Sequence, residues 1–209
     1  MKEFLNSKVL PGLKWFFRSF IWLFLILFIA DMVTKLALSM NMYEGQSVTL
    51  IPGFLRVTLS YNANAAFGMG FASPEVNRWI YIVIALLGTG IILFIYIKKF
   101  KSLGLYVRAC LMLMLTGALG NLIDRLFYMH SNFCVVDWID FYGIWQYIFN
   151  LADSGVVVGT IMLIVWLIVE EVKEYRANKA KEPKVEGKVL SKVEQQQIER
   201  NEEEQKVDN

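Results

Sequence analysis

The sequence has few of the residues that build metal centres and disulfide frameworks. It contains one histidine, His130, and two cysteines, Cys110 and Cys134, which do not form a CxxC pair. A structural zinc site needs about three or four nitrogen or sulfur ligands, and His130 with Cys134 would supply at most two. Two widely separated cysteines also give no disulfide scaffold. We therefore expect neither a metal site nor a disulfide-stapled fold.

Charged residues are scarce outside the C-terminal segment. Residues 173–209 hold nine Lys/Arg and nine Asp/Glu, whereas the remaining 172 residues hold twelve and ten. Hydrophobic residues make up 56% of the whole chain, which is too apolar for a water-facing fold of this size. The composition predicts a membrane domain over residues 1–172, followed by a charged, disordered cytoplasmic tail over residues 173–209.

Four apolar runs have the length of about 20 residues that crosses a bilayer. The fold expected is therefore an all-α integral membrane protein with four transmembrane helices. Lys and Arg gather before the first run, between the second and third, and after the fourth, so the positive-inside rule places both termini in the cytoplasm. The four runs cover about residues 15–38, 79–97, 105–127 and 147–169.

The first external connection, about residues 41–76, predicts a small β-rich cradle. Ser47–Ile51 and Phe54–Tyr61 are β-branched, aromatic and partly alternating, and the turn pair Pro52-Gly53 separates them. A β-hairpin is expected there. Ser73-Pro74 then has the form of a helix cap followed by a first-turn proline, which predicts the start of the second span.

Aspartates collect toward the outer ends of the predicted spans. Ionisable groups at membrane depth are costly, so such a set indicates a functional site. Asp31 and Lys35 are four residues apart on one helix face and predict a structural ion pair near the outer end of the first span. Asp124 beside Arg125 is a second candidate structural pair. The aspartates that precede the tail are Asp31, Asp124, Asp137, Asp140 and Asp153.

Asp137 and Asp153 have no basic residue within four positions. Two carboxylates that meet in a confined site do not both ionise readily, so one acts as a general base and the other as an acid. Aspartic proteases use this arrangement to direct water against an amide carbonyl. Asn150 shares a helix face with Asp153, and small and polar residues form a stripe in the third span, where they allow close helix packing. That stripe consists of Gly117, Gly120, Asn121 and Asp124.

At these residues the chain resembles lipoprotein signal peptidase (signal peptidase II), the aspartyl peptidase family A8. The resemblance covers about residues 15–170 and implies removal of signal peptides from diacylglyceryl-modified prolipoproteins by cleavage before the lipidated cysteine. It also implies a bacterial cytoplasmic membrane location with the site toward the outer face. The matching segments are DMVTK (31–35), YNANAAFG (61–68), GALGNLIDR (117–125), VVDWIDFY (135–142) and FNLAD (149–153).

The resemblance also implies roles for individual residues. Asp137 and Asp153 match the catalytic dyad, and Asp31 with Lys35 matches a structural pair. Asn64 stands where the family usually has glycine, which puts the local backbone shape in question. The partners expected are prolipoproteins and membrane lipids, with no cofactor, no nucleic acid and a monomeric chain. The residues that match substrate-binding or supporting positions are Asn62, Gly120, Asn121, Asp124, Arg125, Asn150 and Ala152.

Two other classes of protein remain open from the residues alone. A small proton-coupled transporter would also carry acids within its spans, but it predicts acids near the midplane that are reachable from both sides. A non-catalytic membrane adaptor would use residues 173–209 as a binding arm, but it leaves the aspartates unexplained.

Overall fold

A computed structural model of the chain describes residues 10–64, 73–127, 133–181 and 194–200. Residues 65–68 of the YNANAAFG segment and His130 lie outside this part of the chain. The structure divides into two compact units, residues 1–165 and 166–209. All the site contacts reported below come from the first unit.

Among the described residues, four helices are long and apolar enough to cross a membrane, which confirms the predicted membrane fold. A short helix, α1, precedes them, and Phe20 separates it from α2 with a left-handed backbone (φ 58°). The first span therefore begins later than predicted, and the fourth helix continues beyond residue 172. The helices are α1 Leu10–Ser19, α2 Ile21–Asn41, α3 Pro74–Lys99, α4 Leu105–Phe127 and α5 Leu151–Lys181. Residues 194–200 are also helical.

Polar contacts hold the α1–α2 junction, the end of α3 and the start of α4 together. The Arg108 guanidinium donates to the carbonyl oxygens of Arg18 (3.2 Å) and Phe100 (2.8 Å). The Tyr96 hydroxyl donates to the Ser19 carbonyl oxygen. These carbonyls stand at helix ends, where the backbone has no helical partner. The opposite ends of the same helices therefore meet at the other side of the bundle.

The chain segments that connect α2 to α3 and α4 to α5 form a four-stranded antiparallel sheet. Its strand order is β1-β2-β3-β4. The predicted hairpin is confirmed as β1 Ser47–Ile51 and β2 Leu55–Asn62. The chain between α4 and α5 supplies two further strands, β3 Val135–Asp140 and β4 Ile148–Phe149. Strand β3 forms because β2, more than 70 residues earlier, offers it an edge: Asn62 pairs with Val135 and Arg56 with Asp140.

Helix α4 forms the centre of the bundle. In its apolar window 56% of the residues are buried, against 11–22% in the other three candidate spans. Glycines allow α5 to approach it closely: a Cβ on Gly155 would come 2.9 Å from the Leu113 carbonyl oxygen, and one on Gly159 would come 2.9 Å from that of Cys110. Small residues serve this purpose between membrane helices. The polar stripe of α4 is thereby held against α2 and α5.

Candidate active site

A buried ammonium group joins α2 to α4. Lys35 is 1% exposed, and its Nζ lies 2.8 Å from Asp31 Oδ2, 2.8 Å from Asp124 Oδ2 and 3.1 Å from Asn121 Oδ1. Asp31 and Lys35 form an ion pair, but Asp31 is the eleventh of the 21 residues of α2 and not near its end. Buried charges are tolerated when they are paired and hydrogen-bonded in this way.

The predicted Asp124–Arg125 pair is wrong. Asp124 bonds to Lys35, and its Oδ2 accepts a hydrogen bond from the Val136 main-chain N–H (3.2 Å). Arg125 instead donates to the carbonyl oxygens of Asn64 (2.9 Å) and Asn121 (3.2 Å). Adjacent residues on a helix do not face each other, so each of these two side chains meets a different element.

Asp137 lies on β3 with 2% of its surface exposed. Its Oδ2 accepts a hydrogen bond from Asn62 Nδ2 (3.0 Å) and its Oδ1 accepts one from Asn150 Nδ2 (2.7 Å). Burial, and after it the nearby Asp153 carboxylate, raise the pKa of Asp137 to about 7. This group is therefore protonated in an appreciable fraction of molecules at neutral pH.

Asp153 is the third residue of α5 and forms a reciprocal cap with Asn150. The Asp153 main-chain N–H donates to Asn150 Oδ1 (2.8 Å), and the Asn150 main-chain N–H donates to Asp153 Oδ2 (3.2 Å). This pattern is a capping box, with an acid in place of the usual Glu or Gln. Asn121 Nδ2 donates to the other carboxylate oxygen at 2.7 Å.

The fully buried Asn150 contacts both predicted catalytic carboxylates. Its side-chain N–H donates to the Asp137 carboxylate, and its main-chain N–H donates to the Asp153 carboxylate. The first residues of α5 and strand β3 are thereby brought to one point. Asp140, by contrast, accepts a hydrogen bond from the Thr58 hydroxyl (2.7 Å) within the sheet.

The other predicted supporting residues surround this point. Asn62, Asn121 and Asn150 each donate to one of the two carboxylates. The Ala152 main-chain N–H donates to Asp31 Oδ1 (2.9 Å). A Cβ on Gly120 would lie 2.7 Å from Asp31 Oδ2 and 2.8 Å from the Ala152 Cβ, so a glycine is needed where the three helices meet.

Asn77 is a residue that the sequence reasoning missed. It is 2% exposed in the first turn of α3, and its Nδ2 donates to Asn64 Oδ1 (3.1 Å). The Asn64 main-chain N–H in turn donates to Asn62 Oδ1 (2.9 Å). Asn64 does not have a positive φ, so the loss of glycine there imposes no left-handed strain. The available signal in the sequence was an uncharged polar residue just before the second apolar run.

The fold and the site together define a multi-pass membrane protein in which two carboxylates, one of them buried, share Asn150 as a hydrogen-bond partner. The sequence profile of the signal peptidase (SPase) II family, peptidase family A8, matches residues 23–169. This chain belongs to the signal peptidase II family. It is accordingly a peptidase of the aspartic type, and these findings give no support to the transporter alternative.

Named relatives and solved structures agree with this family. The lipoprotein signal peptidase of Fusobacterium nucleatum is 37% identical over 146 residues, 70% of this chain and 84% of that protein. That of Clostridioides difficile is 34% identical over 154 residues, 74% of this chain and 97% of that protein. A bacterial membrane enzyme solved by the in meso method at 2.3 Å superposes with a TM-score of 0.64 and 30% identity, covering 79% of this chain and 93% of that one.

Proposed function

We propose that this peptidase removes signal peptides from diacylglyceryl-modified prolipoproteins, with Asp137 and Asp153 as its catalytic dyad. The observation that carries the dyad is the bridge made by Asn150, which bonds to one carboxylate at 2.7 Å and to the other at 3.2 Å. Both carboxylates are thereby held beside a single point. Membership of the signal peptidase II family supports the substrate class.

The reaction proposed is hydrolysis of the peptide bond before the lipidated cysteine. A water molecule attacks the carbonyl carbon while one carboxylate takes its proton and the other, protonated, donates to the carbonyl oxygen. Aspartic peptidases divide the work between two carboxylates in this manner. The raised pKa of Asp137, about 7, keeps such an acid available at neutral pH.

The site is proposed to face the outer side of the bacterial cytoplasmic membrane. Lys98 and Lys99 end α3, and Arg108 stands in the first turn of α4, at the opposite end of the bundle from the two aspartates. The positive-inside rule assigns that basic end to the cytoplasm. Both termini then lie inside, with residues 1–172 as the membrane domain and 173–209 as a cytoplasmic extension.

The sheet is proposed to receive the part of the substrate that lies above the bilayer. Strand β2 carries Asn62 at its end and β3 carries Asp137, so the cradle and the dyad are one continuous structure. Large apolar side chains are exposed along α2, α3 and α5, which suits contact with lipid. Acyl chains can therefore reach the site laterally, and the chain is proposed to act as a monomer among membrane lipids.

Cleavage of a diacylglyceryl-modified prolipoprotein by the purified full chain tests this proposal. Positioned acid–base groups contribute roughly 10²–10⁴-fold to rate, so Asp137→Asn and Asp153→Asn should each lose at least about 100-fold. Asp140→Asn is the matched control, because that carboxylate bonds to Thr58 within the sheet; it should keep a rate close to wild type.

Two results would contradict the dyad. Near-full cleavage by folded Asp137→Asn or Asp153→Asn protein would remove that residue from the chemistry and make Asp124 the next candidate. A wild-type protein that leaves the lipid-modified substrate intact, while a relative of the family cleaves it in the same assay, would argue against the substrate class itself.

A further inference from the structure

The two carboxylates of the dyad lie in unlike surroundings. At the start of α5, the Asp153 carboxylate accepts a hydrogen bond from the Asn150 main-chain N–H. The Asn150 side-chain oxygen in turn accepts one from the Asp153 main-chain N–H. The amino end of a helix carries a partial positive charge that favours an anion in its first turn. Asp137 lies on a strand, and the two hydrogen bonds to its carboxylate come from side-chain amides, Asn62 and Asn150.

Asn121 adds a second difference. Its Oδ1 accepts from Lys35 Nζ (3.1 Å) and from Asn150 Nδ2 (3.1 Å), and its Nδ2 donates to Asp153 Oδ1 (2.7 Å). An ammonium group can only donate hydrogen bonds. Lys35 therefore fixes the orientation of the Asn121 amide, and this orientation points an N–H at Asp153. The buried cation acts on Asp153 through one polarised amide.

The charged groups around the dyad come from two helices. Lys35 and Asp31 face it from α2, and Arg125 and Asp124 face it from α4. Their formal charges cancel, so a second negative charge on the dyad has no counter-ion among these four groups. A dyad that shares one proton is therefore favoured over a dyad with two ionised carboxylates.

We infer that Asp153 is the ionised member of the dyad and acts as the general base, whereas Asp137 carries the proton and acts as the general acid. The inference rests on the proposed function, and it assigns a distinct role to each residue. The capping box and the Asn121 amide stabilise the anion on Asp153. Asp137 has neither a main-chain donor nor a helix end among its described contacts.

The assignment gives a balanced reaction. Asp153 takes one proton from water as the water oxygen bonds to the scissile carbonyl carbon, and Asp137 gives its proton to the carbonyl oxygen. The intermediate then carries two hydroxyl groups on that carbon. Asp153 passes its proton to the leaving nitrogen as the C–N bond breaks, and Asp137 regains a proton from one hydroxyl as the carbonyl of the new carboxylic acid forms. Both residues end in their starting states.

Titration of each carboxyl in the absence of the other tests the roles without any activity assay. Asp137→Asn leaves Asp153 to be followed, and Asp153→Asn leaves Asp137, by carbon NMR of aspartate labelled at the side-chain carboxyl in detergent micelles. Asp137 should hold its proton to a pH at least about one unit higher than Asp153, a tenfold difference in proton affinity. The reverse order, or equal midpoints, would overturn the assignment.

A matched pair of substitutions tests which hydrogen bond stabilises the anion on Asp153. In the Asp137→Asn protein, Asn121→Ala should raise the titration midpoint of Asp153, because it removes the N–H donor at 2.7 Å. Asn62→Ala should leave that midpoint unchanged, since Asn62 donates to position 137. In the wild type, the resonance of Asp137 should carry the larger part of the step near the midpoint of about 7; a larger share on Asp153 would contradict the inference.

The measurements also distinguish the identity of the dyad from the roles of its two members. Retained cleavage in either Asp→Asn variant would refute the dyad, whatever the order of titration. Loss of cleavage in both variants with Asp153 holding its proton to the higher pH would keep the dyad and exchange the roles.

Discussion

At the scale of single residues, the site depends on the orientation of three asparagine amides. Asn62, Asn121 and Asn150 each present an N–H group to a carboxylate. Each orientation is fixed by a partner on the amide oxygen: the Asn64 main-chain N–H for Asn62, Lys35 for Asn121 and the Asp153 main-chain N–H for Asn150. A flipped amide would place two acceptors face to face, so these partners keep the three amides in their orientations.

The raised pKa of Asp137 predicts the alkaline side of the pH profile. Its ordinary value is 3.8 and its value here is about 7, so the proton is bound below that midpoint and lost above it. Because an acid that has lost its proton cannot donate to the carbonyl oxygen, kcat/KM should fall above a pH of about 7, approaching tenfold per unit.

The measurement is kcat/KM for a lipid-modified substrate across neutral and alkaline pH. Asp140→Asn is the control, and its kcat/KM should fall over the same pH range. A profile that stays flat for roughly two units above the midpoint would show that the group does not titrate there in the free enzyme.

The Asn77–Asn64 hydrogen bond predicts a positioning effect on the dyad. Asn77→Ala removes the donor to Asn64 Oδ1, and Asn64→Gly removes the acceptor while it keeps the main-chain N–H that holds Asn62. A neutral hydrogen bond contributes about 1 kcal/mol, so each change should lower kcat/KM about fivefold.

The double variant provides the control. If the two residues act through one bond, Asn77→Ala and Asn64→Gly together should cost little more than either alone. Fully additive losses would mean that they act independently. An unchanged rate in both single variants would remove Asn64 and Asn77 from the positioning of Asn62.

At the scale of elements, the contact between α4 and α5 places Asp153 beside Asn121. A Cβ on Gly117 would overlap the Val156 side chain and the Ala152 carbonyl oxygen. Gly117→Ala should therefore force the helices apart at a cost of about 1–3 kcal/mol and lower the midpoint of thermal unfolding in detergent.

Gly88→Ala on α3 is the matched control for this prediction. A Cβ there meets nothing within 4 Å, and alanine favours a helix over glycine by up to about 1 kcal/mol. The midpoint should stay or rise. Equal behaviour of the two substitutions would mean that close α4–α5 packing does not depend on the missing Cβ.

Strand β3 shows how one element can serve two purposes. Its first three residues are buried; β2 pairs along the strand, whereas β4 pairs only with its last two residues. The same pairing sets Asp137 opposite Ser60 and two residues from the Asn62–Val135 pair. Because side chains alternate along a strand, a slip of one residue would turn Asp137 away from Asn150.

At the scale of the whole molecule, the aspartates of the site lie at one end of the bundle, and Lys98, Lys99 and Arg108 lie at the other. The described contacts of the site involve residues 31–156 and lie in the unit formed by residues 1–165. Removal of residues 182–209 should therefore leave cleavage within about twofold of the full chain, since a change outside the site costs little of the transition-state binding.

The comparison requires both proteins in the same membrane mimic, with the truncated Asp137→Asn variant as the inactive control. A loss of more than about tenfold in a truncated protein that remains folded would give the tail a direct part in substrate handling. It would also favour the binding-arm interpretation of residues 173–209.

The sequence by itself determined the membrane fold, the hairpin and most of the site. Long apolar runs cross a bilayer whatever their neighbours, and isolated aspartates in such runs are too costly to be incidental. Those are local properties of composition and spacing, so Asp153 could be singled out. Asp137 stood out because no basic residue lies within four positions of it, and the family motifs supplied Asn62, Asn121 and Asn150.

Only the tertiary structure decided which groups meet. It paired Asp124 with Lys35 and gave Arg125 to Asn64, because neighbours on a helix point in different directions. It made β3 a strand, since that strand exists only where the distant β2 offers it an edge. It also joined Asn77 to Asn64 and Asp153 to the Lys35–Asn121 pair. These contacts connect segments that are separated in the chain, and the sequence alone does not indicate that they lie close together.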